Sequence, residues 1–245
     1  MRRFRTDWAV WRTGSLPVLA ALLVALSVRA QTDPEGFQSA LFGEGSAAVK
    51  GAVGAKQWVN TSKGNGFPPA LNITTYDAPV EIAGYPAKVT FFFCNDTFFQ
   101  ATARFQFPKL VNFDFNYNVF RSVDEYYRAI RDQSLTFTYD IFSLLEKKYG
   151  KKEPVFEGLD PRKVFQTTDS YVLHERWNLR YHPYDYYKKI VAAAYARWNF
   201  PKTRITFSVN ISAADKRFDY LLSLTSLDLE RRVNRGKDEL RYKGL

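Results

Sequence analysis

Between Ser122 and Gly150 the apolar residues Val123, Tyr126, Tyr127, Ile130, Phe137, Ile141, Leu144 and Leu145 recur at three- and four-residue steps. That spacing places them on one face of a long amphipathic helix. Ser122 with Glu125 forms a capping-box signature at its start. Lys147 and Lys148 suit the negative end of the helix dipole, and Gly150 suits a left-handed stop. At about 1.5 Å per residue the helix would run on the order of 40 Å. Its weak point is Thr136-Phe137-Thr138, a β-branched patch that favours a bend or break.

The pattern on either side has a period of two. Ala87–Cys94 and Phe98–Phe107 read as a hairpin around Asn95-Asp96-Thr97. Val89, Phe91 and Phe93 alternate on one strand, and Phe99, Ala101, Ala103, Phe105 and Phe107 on the other. Such alternation buries one face of an antiparallel sheet and wets the other. Leu71–Tyr76 is a further strand. After the helix, Tyr171–His182, Ile205–Ile211 and Phe218–Leu224 repeat the alternation. Ala192-Ala193-Ala194 favours helix within Asp185–Trp198 by propensity, with a strand as the alternative. Before the first strands, Ser46 reads as the N-cap of a short helix that Gly54 ends, and Gln31–Gly36 as a loose leader. The element order implies one α+β domain over 31–226, an antiparallel sheet packed on the long helix. It also suggests two α-then-β units, 37–121 and 122–226, alike in pattern only. The charged segment 227–245 reads as an exposed, fraying helix.

Residues 1–30 have the build of a secretory signal peptide. Arg2, Arg3, Arg5 and Arg12 precede an apolar run over Leu16–Val28, and Val28-Arg29-Ala30 supplies the small residues of a cleavage site. The run is short for a bilayer span, which needs roughly 20 residues. The alternative is an uncleaved anchor; no later segment is apolar enough to span. Cleavage after Ala30 removes five Arg and one Asp from 35 basic and 25 acidic residues, so the net charge falls from +10 to +6. The expected location is the periplasm or the cell exterior, which argues against nucleic acid as partner. The single cysteine, Cys94, follows Phe91-Phe92-Phe93 and reads as a buried, inert thiol. Stability must then come from the core rather than from bridges.

Two stretches carry a family resemblance. Phe42-Gly43-Glu44-Gly45-Ser46-Ala47-Ala48-Val49 resembles the aromatic-Gly-x-x-Ser-x-x-x-Val entry to the first helix of small exported bacterial proteins. Lys148-Tyr149-Gly150-Lys151-Lys152-Glu153-Pro154 is similar to their helix exit. These are the BamE-like outer-membrane assembly lipoproteins and periplasmic proteins with two such units. The resemblance implies an envelope-located module without catalysis and transfers no binding residue. The chain lacks the lipidated cysteine of the BamE-like proteins and is much longer.

His174 and His182 are the only histidines, and on one continuous strand they would lie about 26 Å apart, too far to share a metal. No Gly-rich phosphate loop, H-E-x-x-H or G-x-S-x-G stretch occurs. No cofactor is expected. Glu153, Glu157 and Asp160 could form a hydrolytic carboxylate pair only if their loop brought them into one cleft. The sequons at Asn60, Asn72, Asn95 and Asn210 are incidental under a bacterial leader. The most suggestive surface stretch is Tyr181–Lys189. There Tyr184, Tyr186 and Tyr187, beside Lys188 and Lys189, suit contact with a glycan, a lipid headgroup or an envelope protein. The reading is an exported envelope protein that acts as a non-catalytic binding or scaffolding module, through its sheet face or this stretch. The alternatives are a hydrolase of an envelope polymer and, given 21 Phe and 15 Tyr, a carrier of an apolar ligand.

Overall fold

The computed structural model describes residues 33–63, 65–109, 123–163, 194–212 and 217–243. In chain order these form β1 (Gly36–Phe37), β2 (Ala40–Leu41), α1 (Ser46–Val53), β3 (Val59–Asn60), β4 (Ile73–Ile82), β5 (Tyr85–Cys94) and β6 (Thr97–Lys109). Then follow α2 (Val123–Tyr149), β7 (Val155–Phe156), β8 (Tyr195–Asn199), β9 (Thr203–Ser212), β10 (Arg217–Ser226) and α3 (Leu227–Lys243). The class is α+β. Eight strands form one antiparallel sheet in the order β3-β4-β5-β6-β10-β9-β8-β7. Each half is a meander, and the last strands of the two halves meet at the centre.

Turn chemistry sets the registers. Asn95 and Asp96 both have positive φ (49° and 57°), as do Ala83 and Gly84 (52° and 81°), the requirement of the two-residue turns that follow strand twist. The β5–β6 ladder slips between Phe92 and Phe93, which face Gln100 and Phe98. This bulge corrects the alternation expected from Phe99. Phe98 joins Ala101, Ala103 and Phe105 in the main core, and Phe99 turns to a second cluster with Leu71, Ile73 and Val233. The strand β4 also runs past Tyr76, through Pro79 to Ile82. Its edge partner β3 pairs only with Tyr76 and Asp77, so the missing Pro79 N–H forfeits no ladder bond to β3.

The main core is centred on Phe137 of α2. Its ring lies 4.7 Å from Tyr220, 4.9 Å from Tyr85, 4.9 Å from Phe105 and 6.3 Å from Phe207. Those four rings sit on β10, β5, β6 and β9, so one side chain bridges both halves of the sheet. The helix runs without interruption through Thr136–Thr138. Thr138 donates its hydroxyl to the Ser134 carbonyl one turn back, at 2.8 Å, and Phe137 is fully buried. Burial of the aromatic ring outweighs the poor helix propensity of its β-branched neighbours.

Three local expectations are corrected. Gly45, not Ser46, is the N-cap of α1, and no side chain of its own segment caps it. The cap comes from the β5–β6 turn, where Asp96 Oδ1 accepts the Ser46 N–H at 2.9 Å. The segment 31–36 is not wholly loose: Pro34 and Gly36 are buried, Asp33 accepts the Lys202 N–H at 2.7 Å, and Pro34 O accepts the Thr203 hydroxyl. A Cβ on Gly36 would lie 1.9 Å from the Ala40 carbonyl oxygen, which reserves that site for glycine. Finally, α3 is docked, because Val233 is buried with Leu229 and Leu240 beside it over the Leu71–Ile73–Phe99 cluster. No helix among the described residues is long and apolar enough to cross a membrane.

Two outcomes follow. Phe137→Ala should cost about 3–5 kcal/mol in chemical denaturation, the range for deleting a buried aromatic ring. The hydrogen bonds from Ser46, side chain and backbone, together with Lys50, hold the Asp96 carboxyl below its ordinary range. A depressed folded pKa contributes stability above the unfolded carboxylate pKa and loses it as pH falls through the folded value. Asp96→Ala should therefore be less stable than the parent at neutral pH, with the difference shrinking in acid melts; an unchanged difference at all pH values would contradict this cap.

Candidate functional site

The outer face of the sheet carries a polar row that follows directly from the registers. Asp77 pairs with Thr90, Thr90 with Thr102, Thr102 with Ser223, Ser223 with Thr206, and Thr206 with Arg197. Val59 and Val155, both exposed, stand at the two ends. Alternation forces this composition: the opposite face of the same strands bears Phe91, Ala103, Leu222 and Phe207 in the core. The row is internally bonded. Thr90 donates to Asp77 at 2.7 Å, Thr102 and Ser223 share a bond of 2.9 Å, and Gln100 donates to Thr102 at 3.2 Å. Lys88 pairs with Asp77 at 2.7 Å.

Towards β8 and β9 the row opens into a trough of about 230 Å³. Arg197, Arg204, Tyr195, Thr206 and Ser223 line it, with Glu230 of α3 on its rim. Both guanidinia are held: Arg204 by Glu230 at 2.5 Å and Arg197 by Glu157 at 2.6 Å. The Arg197 Nε is buried and makes no hydrogen bond.

A second recess, of about 170 Å³, lies at the C-terminal end of α2 between Phe142, Tyr149, Trp198 and Phe200. Arg162 lies 5.1 Å from the Phe142 ring centre and 5.3 Å from that of Phe156. Buried Asp160 fixes it through bonds of 3.1 Å to Nε and 2.9 Å to Nη2, and also accepts the Arg162 backbone N–H. Lys152 lies over Phe200 at 4.5 Å and donates to the Asn199 carbonyl. The chain's own cations thus already occupy these aromatic faces. Burial pushes the Tyr149 phenol up to about 12.

The residues singled out from the sequence fare differently. Asp160 and Glu157 are engaged by different arginines, and Glu153 lines the recess near Arg162. Nothing local in the sequence marks Arg162, Arg197 and Arg204, which line the two hollows, among its 35 basic residues; only the sheet register and the Asp160 turn distinguish them. Tyr184, Tyr186, Tyr187 and both histidines lie outside the described residues, as does the leader. Cys94 is half-buried, its thiol directed at the Leu71 carbonyl at 3.5 Å, and burial pushes its pKa up. Among the described residues no three His, Cys, Asp or Glu side chains are grouped to hold a metal. Comparison with family models, curated proteins and solved structures finds no match to this chain.

With little thiolate at neutral pH, Cys94 should react with iodoacetamide far more slowly in the native chain than after unfolding in guanidinium. Equal rates would show an accessible, activated thiol instead.

Proposed function

We propose that this chain is an exported envelope protein, periplasmic or secreted after cleavage at Ala30, that works as a non-catalytic binding or scaffolding module through the outer face of its sheet. The observation that carries the reading is the polar row from Asp77 to Arg197. Its central members are half-buried hydroxyls fixed on adjacent strands, a rigid array of donors and acceptors on one surface. Strand-borne groups hold their spacing better than loop groups do.

Two further features support a module of two α-then-β units. Reading outward from the β6–β10 pair, Thr102 answers Ser223, Thr90 answers Thr206, and Val59 answers Val155. Both α1 and α2 end at a left-handed glycine, Gly54 and Gly150, whose N–H closes on the carbonyl four residues back. Tyr184, Tyr186 and Tyr187 belong to the proposal as a second contact on sequence grounds.

The competing readings have less to stand on. A hydrolytic pair needs two carboxyls facing one reacting bond, whereas Asp160 and Glu157 are engaged by different arginines, Arg162 and Arg197. An apolar carrier needs a roomy aromatic cavity, whereas Phe105, Phe207 and Tyr220 pack on Phe137, and Phe91 packs on Phe37, Trp58 and Phe98.

The test places Lys at the centre of the row. A Thr206→Lys, Ser223→Lys double variant with a native circular dichroism spectrum should lose about tenfold in association with an envelope fraction, equal to 1.4 kcal/mol. Undiminished association would remove the sheet face from the reading. Tyr184→Ala, Tyr186→Ala and Tyr187→Ala together test the second contact in the same assay, and N-terminal sequencing of the exported chain should begin at Gln31.

A further inference from the structure

We propose that the trough between β8, β9 and β10 holds one ring of a neutral oligosaccharide. The inference rests on the reading of the outer face as a binding surface and names its ligand class.

Among the described residues, Arg197 and Arg204 are the cations that line the trough, and Glu157 and Glu230 already pair with them. An anion would have to displace those carboxylates or bind beside them. A neutral hydroxylated ligand does neither. Each guanidinium has five N–H donors, and each of these ion pairs engages a terminal nitrogen, which leaves others for sugar oxygens. The Glu230 carboxylate, which also lines the trough, in turn accepts from a sugar hydroxyl.

The remaining lining has the same dual character. The hydroxyls of Thr206 and Ser223 can each donate and accept, as a sugar hydroxyl does. Tyr195, half-buried at one wall, offers a ring with a polar tip. A lining this polar gives an apolar guest nothing to bury against. At about 230 Å³ the trough is sized for a single ring with neighbours extending along the sheet, not for a folded segment. The pinned arginines are preorganised, so little side-chain entropy is lost on binding.

The test is a titration of the ¹⁵N-labelled exported chain, observed by amide shifts. One arm adds neutral oligomers of N-acetylglucosamine and of glucose; the other adds polyglutamate. The expected result is saturable shifts at residues 195–197, 204–206 and 223–225 with a neutral oligomer. They should persist in high salt and weaken about tenfold in an Arg204→Met, Thr206→Val variant of unchanged melting temperature. Shifts at the trough with polyglutamate alone, abolished by salt, would overturn the proposal in favour of an anion site. No shift with any probe would overturn it too. The envelope assay then separates the two failures. If Thr206→Lys, Ser223→Lys loses association, only the saccharide assignment falls; if association persists, the sheet-face reading falls with it.

Discussion

The structure depends on one aromatic side chain placed where two half-sheets meet. Phe137 touches rings from β5, β6, β9 and β10, and every one of those strands is central in the sheet. Edge-to-face and tilted packing of such rings adds about 0.5–1.5 kcal/mol per pair beyond the area they bury. The β6–β10 ladder supplies directional bonds at the seam, and Phe137 supplies the non-directional burial that keeps both halves against α2. The Tyr85 phenol, which donates to Asp140 of the same helix at 2.6 Å, and Thr138, bonded back to Ser134, hold the helix in register over the seam.

The outer face is a consequence of that inner one. Because strand side chains alternate, a sheet whose inner rows are filled with Phe, Leu and Ala must place its remaining residues on the far side. Nature of the far side is then a matter of which residues the sequence puts there, and here they are chiefly Thr, Ser, Arg, Lys, Gln and Asp. One end is covered by α3 over Leu71, Ile73 and Phe99, and the trough lies towards β8 and β9. Binding chemistry and fold stability therefore use opposite faces of the same strands, so the surface can vary without disturbing the core.

Much of the core was legible from period-two alternation: Val89, Phe91, Phe93, Ala101, Ala103 and Phe105 are all fully buried. Local pattern failed where long-range pairing decides. In Phe98-Phe99 either ring could face inward, and only the slip opposite Phe92 and Phe93 settles which. The run ending at Ala194 favours helix by propensity, yet Tyr195–Asn199 is a strand, since Ala196 and Trp198 alternate into the core beside Phe207. The cap on α1 lies 50 residues away at Asp96, beyond any local motif. The site was least legible of all: Arg197 and Arg204 become neighbours only through the β8–β9 register, and their carboxylates come from a loop and from α3.

The central claim is that the two halves form one cooperative body around Phe137. Native-state hydrogen exchange tests it most directly, because it reports the opening free energy of each strand separately. The account predicts that the slowest amides of β5, β6, β9 and β10 exchange with the same free energy and the same denaturant dependence, equal to those of global unfolding. A lower, distinct opening free energy for β9 and β10, with β5 and β6 still protected, would contradict it.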